Sequence, residues 1–201
     1  MEWNKRASEQ TVEKVADALR GRGFEVSVVG NGDDARKRVH ELIPDGSEVL
    51  EVSSTTLNQI GFTKELEEGR KYVSLRAKID AIQDEGGRYA ARKSLAPEYV
   101  IGSVHAITED GQLLVASASG SQIPPYSFTA SHVVLVVGTH KIVKDLDDGL
   151  KRLYEYSLPL ESERARKAYG VQGSSVNMVL LLERTRPGRV SIVLVGEELG
   201  F

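Results

Sequence analysis

Hydrophobic positions follow a helical spacing in some parts of the chain and form short β-branched runs in others. At the start of the chain, four apolar side chains recur at i, i+3, i+4 and i+7, namely Val12, Val15, Ala16 and Leu19. This spacing is typical of an amphipathic helix that buries one face. By the same criterion, the sequence predicts helices over residues 5–20, 31–43, 77–95 and 145–156. The β-branched runs predict strands at residues 24–30, 47–52, 72–75, 99–107, 112–117, 132–138, 176–183 and 189–196.

The order of these elements predicts an α/β fold. Strands alternate with helices over most of the chain, which is typical of a largely parallel sheet. The turn sequences TEDG (108–111) and TRPG (185–188) each separate two strands, so we expect two hairpins and therefore a mixed sheet. No internal repeat, low-complexity tract or linker divides the chain, and we expect one domain over residues 1–201.

Composition and charge exclude several classes of function. The chain has 201 residues with a net charge of −3, which does not suit a nucleic-acid-binding protein. It contains no cysteine, so disulfides, thiolate catalysis and cysteine-ligated iron–sulfur or zinc sites are excluded. The N-terminus lacks the apolar region of a signal peptide and no segment reaches eighteen consecutive apolar residues. We expect a cytoplasmic protein that does not enter a membrane.

Four consecutive hydroxyl side chains follow one predicted strand and precede a short helix. They are Ser53, Ser54, Thr55 and Thr56, in the stretch VLEVSSTTLNQIG. Hydroxyl and backbone N–H donors at the start of a helix can bind an anion, helped by the helix dipole. The alternative is helix capping, for which a single hydroxyl suffices.

A second polar loop follows the predicted strand at 112–117. It contains Gly120, Ser121 and Gln122, and a glycine there permits close approach of the backbone to a ligand. The alternative is an ordinary polar turn at the end of a strand. Because ligands of open α/β sheets bind beyond the carboxyl ends of strands, we expect both polar loops to lie in one cleft.

Few charged residues are candidates for chemistry. Glu51 ends one predicted strand and Glu109 lies at a hairpin, so each is a candidate acid, base or nucleophile, with an ordinary surface carboxylate as the alternative. Lys141 follows the strand at 132–138 and could pair with a carboxylate or phosphate, unless it is a solvated loop lysine. The four histidines have no metal-ligand spacing, so we expect no metal site. The sequence has no GxGxxG, P-loop or GxSxG motif.

Three stretches of the sequence resemble the LUD domain (lactate utilization) family. They are SVHAITEDGQLLVASASGSQ, ASHVVLVVGTHKIVKDLDDGLKRL and the ending RVSIVLVGEELGF, and VLEVSSTTLNQIG fits an upstream hydroxyl-rich motif of the same family. The resemblance covers about residues 10–201. It implies a Rossmann-like three-layer α/β/α fold with a mostly parallel mixed sheet, similar to the NagB/RpiA/CoA-transferase group.

The resemblance also implies a ligand class and partners. Members of that fold group bind phosphosugars, CoA or folate near the first hydroxyl-rich loop, which corresponds here to Ser53–Thr56. The family name implies a role in oxidising lactate to pyruvate alongside iron–sulfur partner proteins. Many relatives carry a cysteine-bearing segment before the last strands, but the corresponding stretch here, ESERARKAYGVQGSSVNM, has none.

Two hypotheses about function follow. In the first, the chain is an accessory or small-anion-binding subunit of lactate or related organic-acid utilization, has no cofactor of its own, and can form a homo-oligomer. In the second, it is an isomerase- or acyl-transferase-type enzyme acting on a phosphorylated, CoA-linked or folate-like ligand. The absence of cysteine and of flavin or nicotinamide motifs favours the first, because the chain has no evident means of carrying electrons.

Overall fold

The computed structural model describes residues 3–93 and 96–201, and over these residues a parallel sheet of six strands forms the centre of the fold. The helices are α1 (Glu9–Gly21), α2 (Gly32–Leu42), α3 (Thr55–Gln59), α4 (Phe62–Glu68), α5 (Leu75–Asp80), α6 (Glu85–Lys93), α7 (Leu146–Arg152) and α8 (Leu158–Tyr169). The strands are β1 (Glu25–Val29), β2 (Glu48–Glu51), β3 (Val73–Ser74), β4 (Tyr99–Gly102), β5 (Ala106–Thr108), β6 (Leu113–Ser117), β7 (His132–Gly138), β8 (Ile142–Val143), β9 (Met178–Leu182) and β10 (Val190–Val195).

The central sheet has the order β1-β10-β7-β4-β2-β3, and all its neighbouring strands are parallel. Two adjacent interior strands, β10 and β7, are buried almost throughout and pair from Val190 with Val133 to Val195 with Gly138. Strands that are covered on both faces need apolar side chains on both faces, which explains their uninterrupted runs of valine, leucine and isoleucine. The fold class predicted from the sequence is confirmed.

Different layers cover the two faces of the central sheet. Helices α2, α3 and α4 pack on one face with side chains such as Val39, Leu57 and Phe62. The other face packs against α1 and against a second sheet of order β8-β5-β6-β9, with side chains such as Leu19 and Val115. Helix α7 lies beyond the second sheet.

The predicted hairpin at TEDG is confirmed, but the one at TRPG is wrong. β5 and β6 pair antiparallel across the first turn, whereas β9 pairs antiparallel with β6 in the second sheet. β10 instead lies between β1 and β7. The physical reason is burial, because β10 is apolar on both faces and belongs inside a parallel sheet, while β9 is a partly exposed edge strand.

Three further predicted elements are divided. The strand predicted at 99–107 becomes β4 and β5 in different sheets, so residues 103–105 cross from one sheet to the other. The helix predicted at 77–95 becomes α5 and α6, and its predicted end at Leu95 lies outside the described residues. The helix predicted at 145–156 becomes α7 and a π-helical turn over Leu153–Ser157. Among the described helices, none combines the length and the apolar character needed to span a bilayer.

Gly102, the last residue of β4, lies where the central sheet packs tightly, and a substitution there can measure that packing. A methyl group added by Gly102→Ala would collide with the Tyr126 hydroxyl and would lie 2.5 Å from Val52 Cγ2. We expect this variant to lower the free energy of unfolding by about 1–3 kcal/mol, as overpacked cores do. Denaturant unfolding measures the change.

Gly21→Ala is the matched control, because a methyl group there meets no atom within 4 Å at the end of α1. Alanine also reduces the freedom of the unfolded chain, so we expect this variant to be as stable as the wild type or slightly more stable. Equal stability of the two variants would contradict the packing at Gly102.

Candidate functional site

A cavity of about 470 Å³ opens where the parallel strands end. The carboxyl ends of β2, β4, β7 and β10 meet at one edge of the sheet because the strands are parallel. We call it the strand-end cavity. Its lining includes Glu51, Ser53–Thr56, Arg76, Ser103–His105, Ser117–Ser119, Ser121, Gln122, Tyr126, Lys141, Ser157, Glu161, Arg164, Ser174–Val176, Gly200 and Phe201.

The two polar loops singled out from the sequence meet in this cavity. Of the residues predicted to form the site, those that line it are Glu51, Ser53, Ser54, Thr55, Thr56, Ser121, Gln122 and Lys141. The loops are more than sixty positions apart in sequence, but each follows a strand and both are brought to the same edge of the core.

Glu109 and Gly120 do not line the strand-end cavity. Glu109 lies at the hairpin between β5 and β6, where its carboxylate accepts from Lys14 Nζ at 2.7 Å in a surface ion pair. Gly120 has a positive φ of 79°, and a methyl group there would lie 2.8 Å from the sulfur of Met178. The positive φ and this close contact both favour glycine in the tight turn beside β9.

The four consecutive hydroxyls have different tasks. Ser54 caps α3 by accepting the backbone N–H of the helix's third residue at 3.4 Å, so the capping alternative holds for this one position. Ser53 Oγ accepts from Arg76 Nη1 at 2.7 Å. Thr55 is half-buried in the cavity wall, and Thr56 is fully buried. Three of the four hydroxyls are thus not needed for the cap.

Lys141 is the buried cation of the strand-end cavity. Its ammonium donates to Thr56 Oγ1, Ser103 Oγ and the Val104 carbonyl, at 3.2 Å each, and the residue is only 2 % exposed. Within the described part of the chain, no carboxylate forms an ion pair with it. Burial, and then the positive charge of Arg152, lower the pKa of the Lys141 amine to about 7.

Arg152 is a second buried cation close by. Its Nη1 donates to the His105 carbonyl and to Ser157 Oγ, the latter at 3.1 Å. Its Nε and Nη2 are buried and have no hydrogen-bond partner among residues 3–93 and 96–201. Burial lowers the pKa of this guanidinium to about 10, so it stays charged at neutral pH.

His105 presents a neutral imidazole to the cavity. Its Nδ1 accepts the Ala116 backbone N–H at 3.1 Å, so the ring hydrogen is assigned to Nε2. Burial, and then the charges of Lys141 and Arg152, lower the pKa of His105 to about 3. The side chain therefore offers an N–H donor and adds no charge at neutral pH.

Glu51 is the buried carboxyl group of the same cavity. Its Oε1 accepts from Thr63 Oγ1 at 2.8 Å. Burial raises the pKa of Glu51 to about 7, although the Thr63 hydrogen bond and the Arg76 charge oppose the change. The cavity thus combines a cationic interior with a carboxyl group that titrates near neutrality. No cluster suited to hold a metal ion occurs among the described residues.

Sequence reasoning missed several residues of this site. His105 lies within residues 99–107, which were predicted to form one strand. The small and polar residues at 102–105 were the feature of the sequence that could have indicated a break there. Arg76 and Arg152 lie in helical segments rich in charge, so nothing in the sequence distinguishes them from surface arginines. Burial of Arg152 depends on the π-helical turn that follows α7, which the hydrophobic spacing does not reveal.

Known structures resemble the chain over most of its length. A crystal structure of a DUF162 family protein from Deinococcus radiodurans matches with a TM-score of 0.58 at 11 % identity, covering 93 % of this chain and 97 % of the other. A crystal structure of eIF2B beta from Chaetomium thermophilum matches with a TM-score of 0.40 at 17 % identity, covering 71 % of this chain and 46 % of the other. The first match supports the fold.

Sequence comparison gives the family. No curated protein sequence matches the chain. The family model described as the LUD domain matches residues 12–195, which is nearly the whole chain and includes both polar loops and Lys141. The resemblance seen in the sequence motifs is therefore confirmed, and the chain belongs to the LUD domain family.

Proposed function

We propose that this LUD domain protein binds a small organic anion, such as lactate or a related organic acid, in the strand-end cavity. The observation behind the proposal is the buried positive charge of Lys141, which is held by neutral oxygens and is not paired with a carboxylate among the described residues. Removing a charge from water costs several kcal/mol unless an opposite charge compensates it. A bound carboxylate would supply that opposite charge.

The surroundings of Lys141 favour an anion over a neutral ligand. Arg152 adds a second buried positive charge, and the Nε2–H of His105 is a further donor. The hydroxyls of Ser53 and Thr55 line the same cavity and can donate to ligand oxygens. In a site of low dielectric these interactions are stronger than they would be in water.

We further propose that the chain acts as an accessory subunit in organic-acid utilization, alongside partner proteins that carry iron–sulfur clusters. Membership of the LUD domain family supports the process. The chain has no cysteine with which to hold such a cluster itself, so electron transfer would fall to a partner.

Removal of the Lys141 charge should weaken anion binding. A charged hydrogen bond contributes about 1.5–3 kcal/mol, so we expect Lys141→Met to raise the Kd for L-lactate on the order of ten- to a hundredfold. The matched control is Lys144→Met, because Lys144 is three residues away but its side chain is 79 % exposed. Isothermal titration calorimetry measures both, with the thermal midpoint as a check on folding. Equal loss in both variants, or none in Lys141→Met, would contradict the proposal.

Anion binding should also take up a proton near pH 8. The free site has a Lys141 pKa of about 7, lowered by burial, and a bound anion raises it again. Between these two pKa values the complex holds a proton that the free protein lacks, so the affinity falls as pH rises above 7. Calorimetry in two buffers of different ionisation enthalpy, neither of them phosphate, measures the uptake.

Glu51 also titrates near pH 7, so its variant identifies the source of that proton. Uptake should persist in Glu51→Gln and disappear in Lys141→Met. If it disappears only in Glu51→Gln, the linkage belongs to the carboxyl group and not to the lysine.

A second candidate function is an isomerase- or acyl-transferase-type reaction on a phosphorylated, CoA-linked or folate-like ligand. The observation in its favour is Glu51, a buried carboxyl group with a raised pKa of about 7 in the wall of the cavity. Such a group can act as a general acid or base at neutral pH. Turnover assays on sugar phosphates and CoA thioesters test it, and any activity should fall at least about a hundredfold in Glu51→Gln. Activity that survives this change would exclude Glu51 as its base.

A further inference from the structure

The Nζ of Lys141 lies in the wall of the strand-end cavity and belongs to no ion pair among the described residues. It contacts two side-chain hydroxyls and one carbonyl, and no carboxylate among the described residues fixes its proton. We propose that Lys141 is a nucleophile that forms an imine with the carbonyl group of a small 2-oxo acid bound in this cavity. The inference rests on the proposed function, because it requires an organic anion at the same site.

A lysine reacts with a carbonyl group only as the neutral amine. Proteins obtain that form by burying the amine in a poorly hydrated site or by placing it next to another cation. Both conditions hold here, because Lys141 is buried and Arg152 is a neighbouring charge. Lys141 in turn acts on two nearby histidines, His105 and His140, and burial, followed by the charges of Lys141 and Arg152, lowers the pKa of each to about 3. They are therefore neutral over the pH range in which the amine forms.

The same surroundings select the class of carbonyl compound. When Lys141 is neutral, Arg152 remains charged; it does not line the cavity, but its charge acts on Lys141 in the cavity wall. This positive charge favours a carbonyl compound that also carries a carboxylate. A 2-oxo acid has the carboxylate next to the carbonyl, so it uses the amine and the positive charge at once. The Nε2–H of His105 is a donor for the oxygen that becomes negative during the attack.

The step balances without an oxidant, a reductant or a cofactor. The lone pair of Lys141 Nζ attacks the keto carbon and forms a carbon–nitrogen bond, and the keto oxygen takes up a proton to give a carbinolamine. The carbon–oxygen bond then breaks and the oxygen leaves as water. That water carries both hydrogens of the former amine, and a carbon–nitrogen double bond remains. The hydroxyls of Thr56 and Ser103, each 3.2 Å from Nζ, are close enough to relay these protons.

Reductive trapping tests the proposal on the unmodified protein. The chain is incubated with pyruvate and sodium cyanoborohydride, and the modified lysine is identified by peptide mass spectrometry. We expect one adduct per chain, at Lys141, equal in mass to pyruvate less one water plus two hydrogens. At pH 7 an ordinary lysine is almost wholly protonated, so labelling of Lys141 should exceed that of Lys144 by about a hundredfold or more. At pyruvate concentrations far below saturation, where the rate reports the free site, it should rise as the pH passes through about 7 and then level off.

Two controls separate an imine from adventitious labelling. Acetone has the carbonyl group but no carboxylate, so it should label Lys141 at least about tenfold more slowly than pyruvate does. Lys141→Arg keeps a positive charge but cannot form the imine, so it should give no adduct while its thermal midpoint stays near that of the wild type. Equal labelling of Lys141 and Lys144, or equal rates with pyruvate and acetone, would overturn the proposal.

The imine and the proposed function can fail independently, because lactate has no carbonyl group. Lactate binding to the wild type without a pyruvate adduct at Lys141 would overturn the imine and leave anion binding standing. A protein that binds no lactate but gives the Lys141 adduct would support the imine and remove lactate as the ligand.

Discussion

The ammonium of Lys141 ties together the ends of three adjacent strands. Lys141 follows β7, and its hydrogen bonds reach Thr56 beyond β2 and residues 103–104 beyond β4. Thr56 in turn donates to the Leu199 carbonyl beyond β10, at 3.1 Å. The four strand ends are thus held by one small polar cluster inside an otherwise apolar core. That cluster contains a charge but only neutral acceptors, and this imbalance is the basis of our proposal that the cavity binds an anion.

The second sheet makes this arrangement possible. The chain leaves the central sheet after Gly102 and enters the second sheet at Ala106, so residues 103–105 cross between the layers. Carbonyl groups in a regular strand are used by neighbouring strands, but those of Val104 and His105 are available to Lys141 and Arg152. One short crossing therefore supplies acceptors for both buried cations. It also turns the His105 ring toward the cavity, where Ala116 of β6 fixes its tautomer.

The sequence predicts the layers better than it predicts the partners of each strand. Runs such as HVVLVVG and RVSIVLVG indicate burial on both faces, and together with the alternation of strands and helices they predict an α/β fold with parallel strands. Strand pairing depends on where the chain goes between strands, so proximity across TRPG suggested a hairpin that does not form. The π-helical turn after α7 could not be predicted either, because the hydrophobic spacing over 145–156 is equally compatible with a continuous α-helix.

The sequence predicts the candidate site best where polar or charged side chains come directly after a strand. Ser53–Thr56 and Lys141 follow β2 and β7 of the central sheet, and parallel strands bring their carboxyl ends together. Gln122 follows β6, an antiparallel strand of the second sheet, and reaches the cavity because that sheet packs on the central one. Glu109 follows β5 of the second sheet, so the same rule does not apply to it, and the structure pairs it with Lys14 at the surface. Arg152 could not be recognised, because a sequence gives no measure of how deeply a helical arginine is buried.

The chain has more acidic than basic residues, so the lack of an acidic partner for Lys141 among the described residues is not due to a shortage of carboxylates. The protein has 29 acidic and 26 basic residues, and most of its ion pairs lie at the surface between side chains close in sequence. Acidic partners are therefore plentiful, but none is paired with Lys141 in the described residues. A buried charge without a partner costs several kcal/mol, whereas methionine or leucine would fill the same space without that loss. The segment after β10 adds to the constraint, because a side chain at Gly200 would collide with the Thr56 hydroxyl and lie 3.0 Å from Lys141 Nζ. A costly cation that has no acidic partner among the described residues therefore supports our proposal that the site binds an anion from outside the chain.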